Sequence, residues 1–186
     1  MDVRALSFSD YLSKAEARLS GALGGDCSIA VYHEMNKDIL RIIAEIEDER
    51  FRSELRYSER ELTIRSKKRG FTCFIVYLDQ RPVAFVFGFD DSKRGAYFSD
   101  SAATLIERRG VGSILTALET LYCLEKGYVS EEMITEDLDE SGRRLTEYWA
   151  RFGFYVTGRD PKTGVAMRLE ITPEIVKRLI DKYLGD

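Results

Sequence analysis

The sequence predicts a mixed α/β (α+β) fold, a mostly antiparallel central sheet with helices on its faces. Three observations lead there. Two aromatic and β-branched runs, 71–79 (FTCFIVYLD) and 83–90 (VAFVFGFD), are separated only by Gln80-Arg81-Pro82, which reads as an antiparallel hairpin. A third run, 96–103, follows across the polar turn 91–95. Segments of helical spacing stand before and after this cluster and do not alternate with each strand, which excludes a doubly wound sheet or a barrel.

Each element has its own signal. Phe8, Tyr11, Leu12, Ala15, Leu19 and Ala22 recur at helical spacing and predict a helix over about 9–23, ended by Gly24-Gly25. Residues 27–32 (CSIAVY) form a short strand candidate. Ile39, Ile42, Ile43 and Ile46 mark a second helix over about 36–50. Ser58-Glu59-Arg60-Glu61 is a capping-box pattern, and with Gly70 as a stop it brackets a third, highly charged helix. After the three strands, Val111, Ile114, Leu115, Leu118, Leu121 and Tyr122 form one face of a long amphipathic helix that ends near Gly127. Residues 133–135 are a weak strand candidate, and the acid-rich stretch 131–140 reads as a solvated loop. Leu145, Tyr148, Trp149 and Phe152 stripe a helix over about 141–152. Residues 154–157 and 165–171 form a last hairpin, and Thr172-Pro173-Glu174 opens a final helix with an N-cap, a proline in the first turn and an acid.

Composition bounds the function. The chain has 186 residues, of which 44% are hydrophobic, a size and content that suit one compact domain. A net charge of −4 offers no overall attraction for nucleic acid or an anionic membrane. No apolar run approaches the ~18 residues of a membrane span, and the N-terminus lacks the apolar core of a secretory signal. Cys27, Cys73 and Cys123 stand far apart with neither metal nor disulfide spacing, so a reduced, cytoplasmic protein is expected. His33 is the single histidine, which excludes a histidine-rich metal site; no metal is expected.

The most informative stretch is 107–113, ERRGVGS, at the passage from strand to helix. The first turn of a helix has amide N–H groups without intrahelical partners, and the helix dipole adds positive potential there. Gly110 and Gly112 let a phosphate approach that backbone, and Arg108 and Arg109 add cationic donors. The chemistry is that of a phosphate or pyrophosphate cradle.

This loop is similar to the Q/R-x-x-G-x-G/A motif of the GNAT superfamily, which transfers acetyl groups from acetyl-coenzyme A to amines. A second segment, LTEYWARFGF at 145–154, is similar to the family's late helix followed by Gly-Phe. The two lie about 40 positions apart, each in its expected context. The resemblance covers roughly 27–171. The segments 1–26 and 172–186 would be helical additions, open to two roles: a homodimer interface or a cover for sheet edges.

The resemblance implies an acetyl-CoA-dependent N-acetyltransferase in which the amine attacks the thioester directly, with no metal. It places the pyrophosphate on the backbone of Arg108, Arg109, Gly110, Val111, Gly112 and Ser113. It runs the pantetheine arm beside Asp100, Ser101 and Ala102, where small side chains leave room. Gly142 occupies the position of a ligand-contacting asparagine, for which Ser141 beside it is the candidate cofactor-binding substitute. Trp149 falls where many members carry the tyrosine that protonates the departing thiolate, so it is expected to line the cofactor tunnel. Tyr148, about 100° away around a helix, takes the acid role only if that helix is rotated or shifted. Asp137, Glu136 and Asp100 are the candidate bases for the amine proton. If the 131–140 run borders the acceptor site, it favours a cationic amine. Glu107 stands where the family carries Gln or Arg. These departures motivate an alternative, a GNAT-fold module that binds an acyl-CoA with little chemistry. Small molecules and proteins are both open as acceptors.

Overall fold

A computed structural model describes residues 7–139 and 142–185. Among them run helix α1 (Phe8–Leu23), strand β1 (Cys27–Tyr32), helix α2 (Lys37–Arg50), a short 3-10 turn, helix α3 (Glu59–Ser66), and strands β2 (Thr72–Leu78), β3 (Arg81–Asp90) and β4 (Ala96–Thr104). Helix α4 (Val111–Glu125), strand β5 (Ser130–Thr135), helix α5 (Leu145–Ala150), strands β6 (Tyr155–Asp160) and β7 (Gly164–Glu170) and helix α6 (Pro173–Leu179) follow, the last continued by a π-helical turn.

The strands form one seven-stranded sheet in the order β1-β2-β3-β4-β5-β7-β6. Every pairing is antiparallel except β4 with β5. Alternation along the strands divides the side chains between two layers. Cys73, Ile75, Phe85, Phe87 and Phe89 pack under α2 and α3, with Ile39, Ile43, Ile46 and Leu62. Phe74, Val76, Ala84, Val86, Met133 and Met167 face the opposite layer, with Leu115 and Leu118 of α4, Leu19 of α1 and Val176 of α6. The terminal helices therefore complete a core layer, and Arg18 ties them together by donating to the Gly185 carbonyl at 2.6 Å.

Local signals hold where the sequence carries them. Ser58 and Glu61 form the predicted capping box, and Thr172 caps α6 ahead of Pro173. The hairpin turn falls one residue earlier than the sequence suggests, at Asp79 and Gln80, both with positive φ. α3 ends at Ser66, four residues before Gly70.

Three expectations are corrected. α4 is buried on nearly all sides, Thr116, Glu119 and Thr120 included, because it lies between the sheet and the terminal helices. Residues 131–135 do not belong to a solvated loop: β5 begins at Ser130, Glu131 is fully buried and Glu132 is 6% exposed. α5 starts at Leu145 and ends at Ala150. Gly142 has φ 76°, a bridge joins Leu138 to Arg144, and Asp139 Oδ1 accepts from the Arg143 amide at 2.9 Å. The chain turns back on itself there and cannot continue a helix.

The core also holds an acid pair. Glu119 on α4 accepts from the Ser99 hydroxyl at 2.8 Å, and Glu131 on β5 accepts from Thr120 at 2.9 Å. Neither remaining Oε1 has another partner among the described residues, and the two carboxyl groups interact directly. Burying two carboxyl groups beside each other disfavours the ionised form of both. Burial raises both carboxyls, Glu119 to about 7.

Candidate active site

β4 and β5 pair only at Ala96–Ser130, Tyr97–Glu131 and Phe98–Glu132. β4 continues to Thr104 and β5 to Thr135 without further pairing, so the sheet opens between them. On its other side, β4 faces β3 with one residue too many. Phe87 lies opposite Ser101 and Gly88 opposite Ser99, which leaves Asp100 at a β-bulge. The opening is a cleft of ≈ 670 Å³ lined by β4 residues 99–104, the tip of β5, the start of α4, α5 and the segment after α2.

Asp100 and Ser101 both line this cleft. The Asp100 side chain is 7% exposed and its carboxylate is 2.7 Å from Arg65 Nε. The Tyr57 hydroxyl donates to it at 3.3 Å, while the Arg65 guanidinium stacks 3.6 Å above the Tyr57 ring. Burial raises the Asp100 carboxyl above its ordinary value, opposed by the arginine. Ser101 donates to Glu47 at 3.2 Å, and the same Glu47 accepts from the Tyr57 amide at 2.9 Å. Burial raises the Glu47 carboxyl too. Ala102 lies opposite Val86 and is exposed on the open stretch of β4.

The loop after β4 delivers the helix end. Arg108 has φ 58° and Gly110 φ 84°, so the chain turns through two left-handed residues into α4. The first helical hydrogen bond runs from the Ile114 amide to the Gly110 carbonyl at 2.9 Å. No side chain caps the helix and no acid stands in its first turn, so the first-turn amides at 111–113 are offered outward. A side chain at Gly110 would project into open space where a ligand can approach. Arg108 and Arg109 are exposed, whereas the Val111 side chain is buried and only its backbone can serve a ligand. This open, cation-flanked helix end fits a pyrophosphate.

Tyr148 and Trp149 both reach the cleft. The Tyr148 hydroxyl interacts with Ser113, and a Cβ built on Gly112 would lie 3.3 Å from it. Burial raises the Tyr148 phenol above the ordinary value, while Ser113 pulls it down. Trp149 donates to Thr135 at 3.3 Å and packs on Phe152 and Phe154. Asp137 is not brought into the cleft: it pairs with Arg159 at 3.1 Å, and that bond lowers its carboxyl. Glu136 does line the cleft, bound to Arg52. Ser141 lies outside the described residues.

Tyr57, Arg65, Arg50, Arg52 and Arg143 line the cleft, and Glu47 supports it through Ser101, without a sequence motif to mark them. Only Glu47 left a trace, as an acid four residues beyond Ile43 on the apolar stripe of its helix.

Among known proteins, no family model and no curated sequence matches this chain. Solved structures do. The ribosomal-protein-S18-alanine N-acetyltransferase from Escherichia coli superposes with a TM-score of 0.63 at 13% identity, covering 77% of this chain and 94% of that one. The aminoglycoside 6'-N-acetyltransferase from Enterococcus faecium gives 0.65 at 12%, covering 78% and 97%. The PaiA N-acetyltransferase from Thermoplasma acidophilum, solved with coenzyme A, gives 0.60 at 12%, covering 77% and 99%. The chain has the GNAT fold.

Proposed function

We propose that this protein is an N-acetyltransferase that moves an acetyl group from acetyl-CoA to a primary amine. One observation carries the reading: a single cleft joins an uncapped helix N-terminus, an unpaired stretch of β4 and a buried carboxylate. Acetyl-CoA supplies the activated acetyl thioester. The amides at 111–113 bind its pyrophosphate with Arg108, Arg109 and the Gly110–Gly112 turn. The open side of β4 at Asp100, Ser101 and Ala102 orients the extended arm and offers amides to the carbonyl. Trp149 closes the wall and excludes water. Asp100 takes the amine proton on its carboxylate, held in place by Arg65 and Tyr57. Tyr148 Oη holds the proton for the leaving sulfur.

The cationic-amine preference loses its motive. Glu131 and Glu132 are buried away from the cleft, and the two acids of that stretch that do line it, Glu136 and Asp139, are bound to Arg52 and Arg143. Three buried free thiols favour a reducing compartment, and we assign the protein to the cytoplasm. Among the described residues no helix is long and apolar enough to cross a membrane.

Thiol release from acetyl-CoA over a panel of amines tests the reading. Release with at least one amine supports it, whereas tight acetyl-CoA binding with no release from any amine favours the alternative, a binding module. The Asp100–Arg65 pair is the observation in that alternative's favour, because a paired carboxylate is a weaker base.

A further inference from the structure

We propose that Arg50 is a pyrophosphate-binding residue of this cleft, poised by Glu107 from the helix α2 side. The inference rests on the acetyl-CoA reading above. Glu107 opens the 107–113 loop, and an acid there would repel a phosphate. The structure answers that charge from elsewhere in the chain. Arg50, the last residue of α2 and 57 positions away, binds Glu107 directly. Arg143 and Arg108 also lie close enough to hold the Glu107 carboxyl below its ordinary value, after Arg50, which does most of it. Arg50 is the guanidinium in contact with Glu107, and Arg143 is itself bound to Asp139.

Arg50 and Arg143 both line the cleft, and Arg50 is 33% exposed. A guanidinium has five donors in a planar fork, and one carboxylate occupies only part of it. The remaining donors suit a second oxyanion on the loop. Arg50 thereby restores, from a different element, the cation that the first loop position lacks. Its attachment to α2 also links phosphate binding to the wall that carries Tyr57 and Arg65.

Titration of the full chain with coenzyme A and with dephospho-coenzyme A, which lacks only the 3'-phosphate, tests this. Arg50→Ala weakens both ligands by about tenfold, the scale of one lost charge-assisted hydrogen bond. Glu107→Gln does the opposite and tightens both by roughly fivefold, since it removes a competing anion while its amide oxygen still accepts from Arg50 and keeps it in place. If the pair were only architectural, the two variants would weaken binding alike, and that result overturns the inference. Unchanged affinity in Arg50→Ala overturns it too, as does a loss seen with coenzyme A but not with the dephospho form. The Glu107→Gln arm stands on its own if Arg50→Ala fails to fold. Failure of the unmodified protein to bind either ligand overturns the acetyl-CoA reading itself, a result distinct from the others.

Discussion

Asp100 occupies the position where backbone irregularity, burial and charge meet. The β-bulge gives it no cross-strand partner, and its side chain is nearly buried between Arg65 and Tyr57. As a base it must be ionised, and burial raises its carboxyl above the ordinary value. The rate at low substrate therefore rises with pH through that raised value, and the limb disappears in Asp100→Asn. That variant loses on the order of 10²-fold in turnover, the usual worth of a positioned base, while acetyl-CoA affinity stays within twofold to threefold. Tyr148→Phe lowers turnover by roughly tenfold or more and removes the fall in rate at alkaline pH, where the phenol would ionise. At Gly110 the demand is conformational, since φ of 84° and open space on the ligand side leave a glutamate both strained and repulsive. Gly110→Glu abolishes acetyl-CoA binding with the circular dichroism spectrum unchanged.

At the scale of elements, α4 and β5 each bury a carboxyl group, Glu119 and Glu131, in the same core layer. Both carboxyls are ionised in the unfolded chain above pH ~4.5, while in the folded chain burial holds Glu119 protonated up to about pH 7 and holds Glu131 well above its ordinary value. The folded state binds more protons between those limits, so stability falls as pH rises through about 7. The melting temperature therefore drops by several degrees between about pH 5 and 7. Glu131→Gln, whose amide donates without a proton, flattens that dependence. An equal slope in the variant would show that the pair does not control it. Elements were legible in the sequence where their signals are local. The Ser58–Glu61 capping box, the Thr172-Pro173 start and the aromatic hairpin each depend on neighbouring residues. β5 was read as a weak strand over half its length because its acids mask a buried strand whose partners lie on β4 and β7. The sequence makes α5 too long because nothing local separates the turn at Gly142 from Leu145, and because the hydrophobic stripe runs on to Phe152, past the helix end at Ala150.

Across the whole molecule, the cleft exists because β4 and β5 separate after three paired residues, while the layers on both faces hold the sheet rigid. The loop and the two aromatic residues of the site were visible as sequence motifs. The bulge, the divergence of the strands and the arginines from α2 and α3 were not, because strand register and contacts across tens of residues leave no local pattern. The terminal helices complete the core layer against α4. Leu19 is fully buried against α4, so Leu19→Ala costs about 2–5 kcal/mol, read by denaturant unfolding, and leaves acetyl-CoA affinity unchanged. The central claim is that the cleft between β4 and β5 takes acetyl-CoA. Calorimetric titration of the purified protein with acetyl-CoA, with AMP as the control, tests it most directly. The account predicts micromolar or tighter binding of acetyl-CoA and little response to AMP; no heat of binding with acetyl-CoA, or equal binding of AMP, would contradict it.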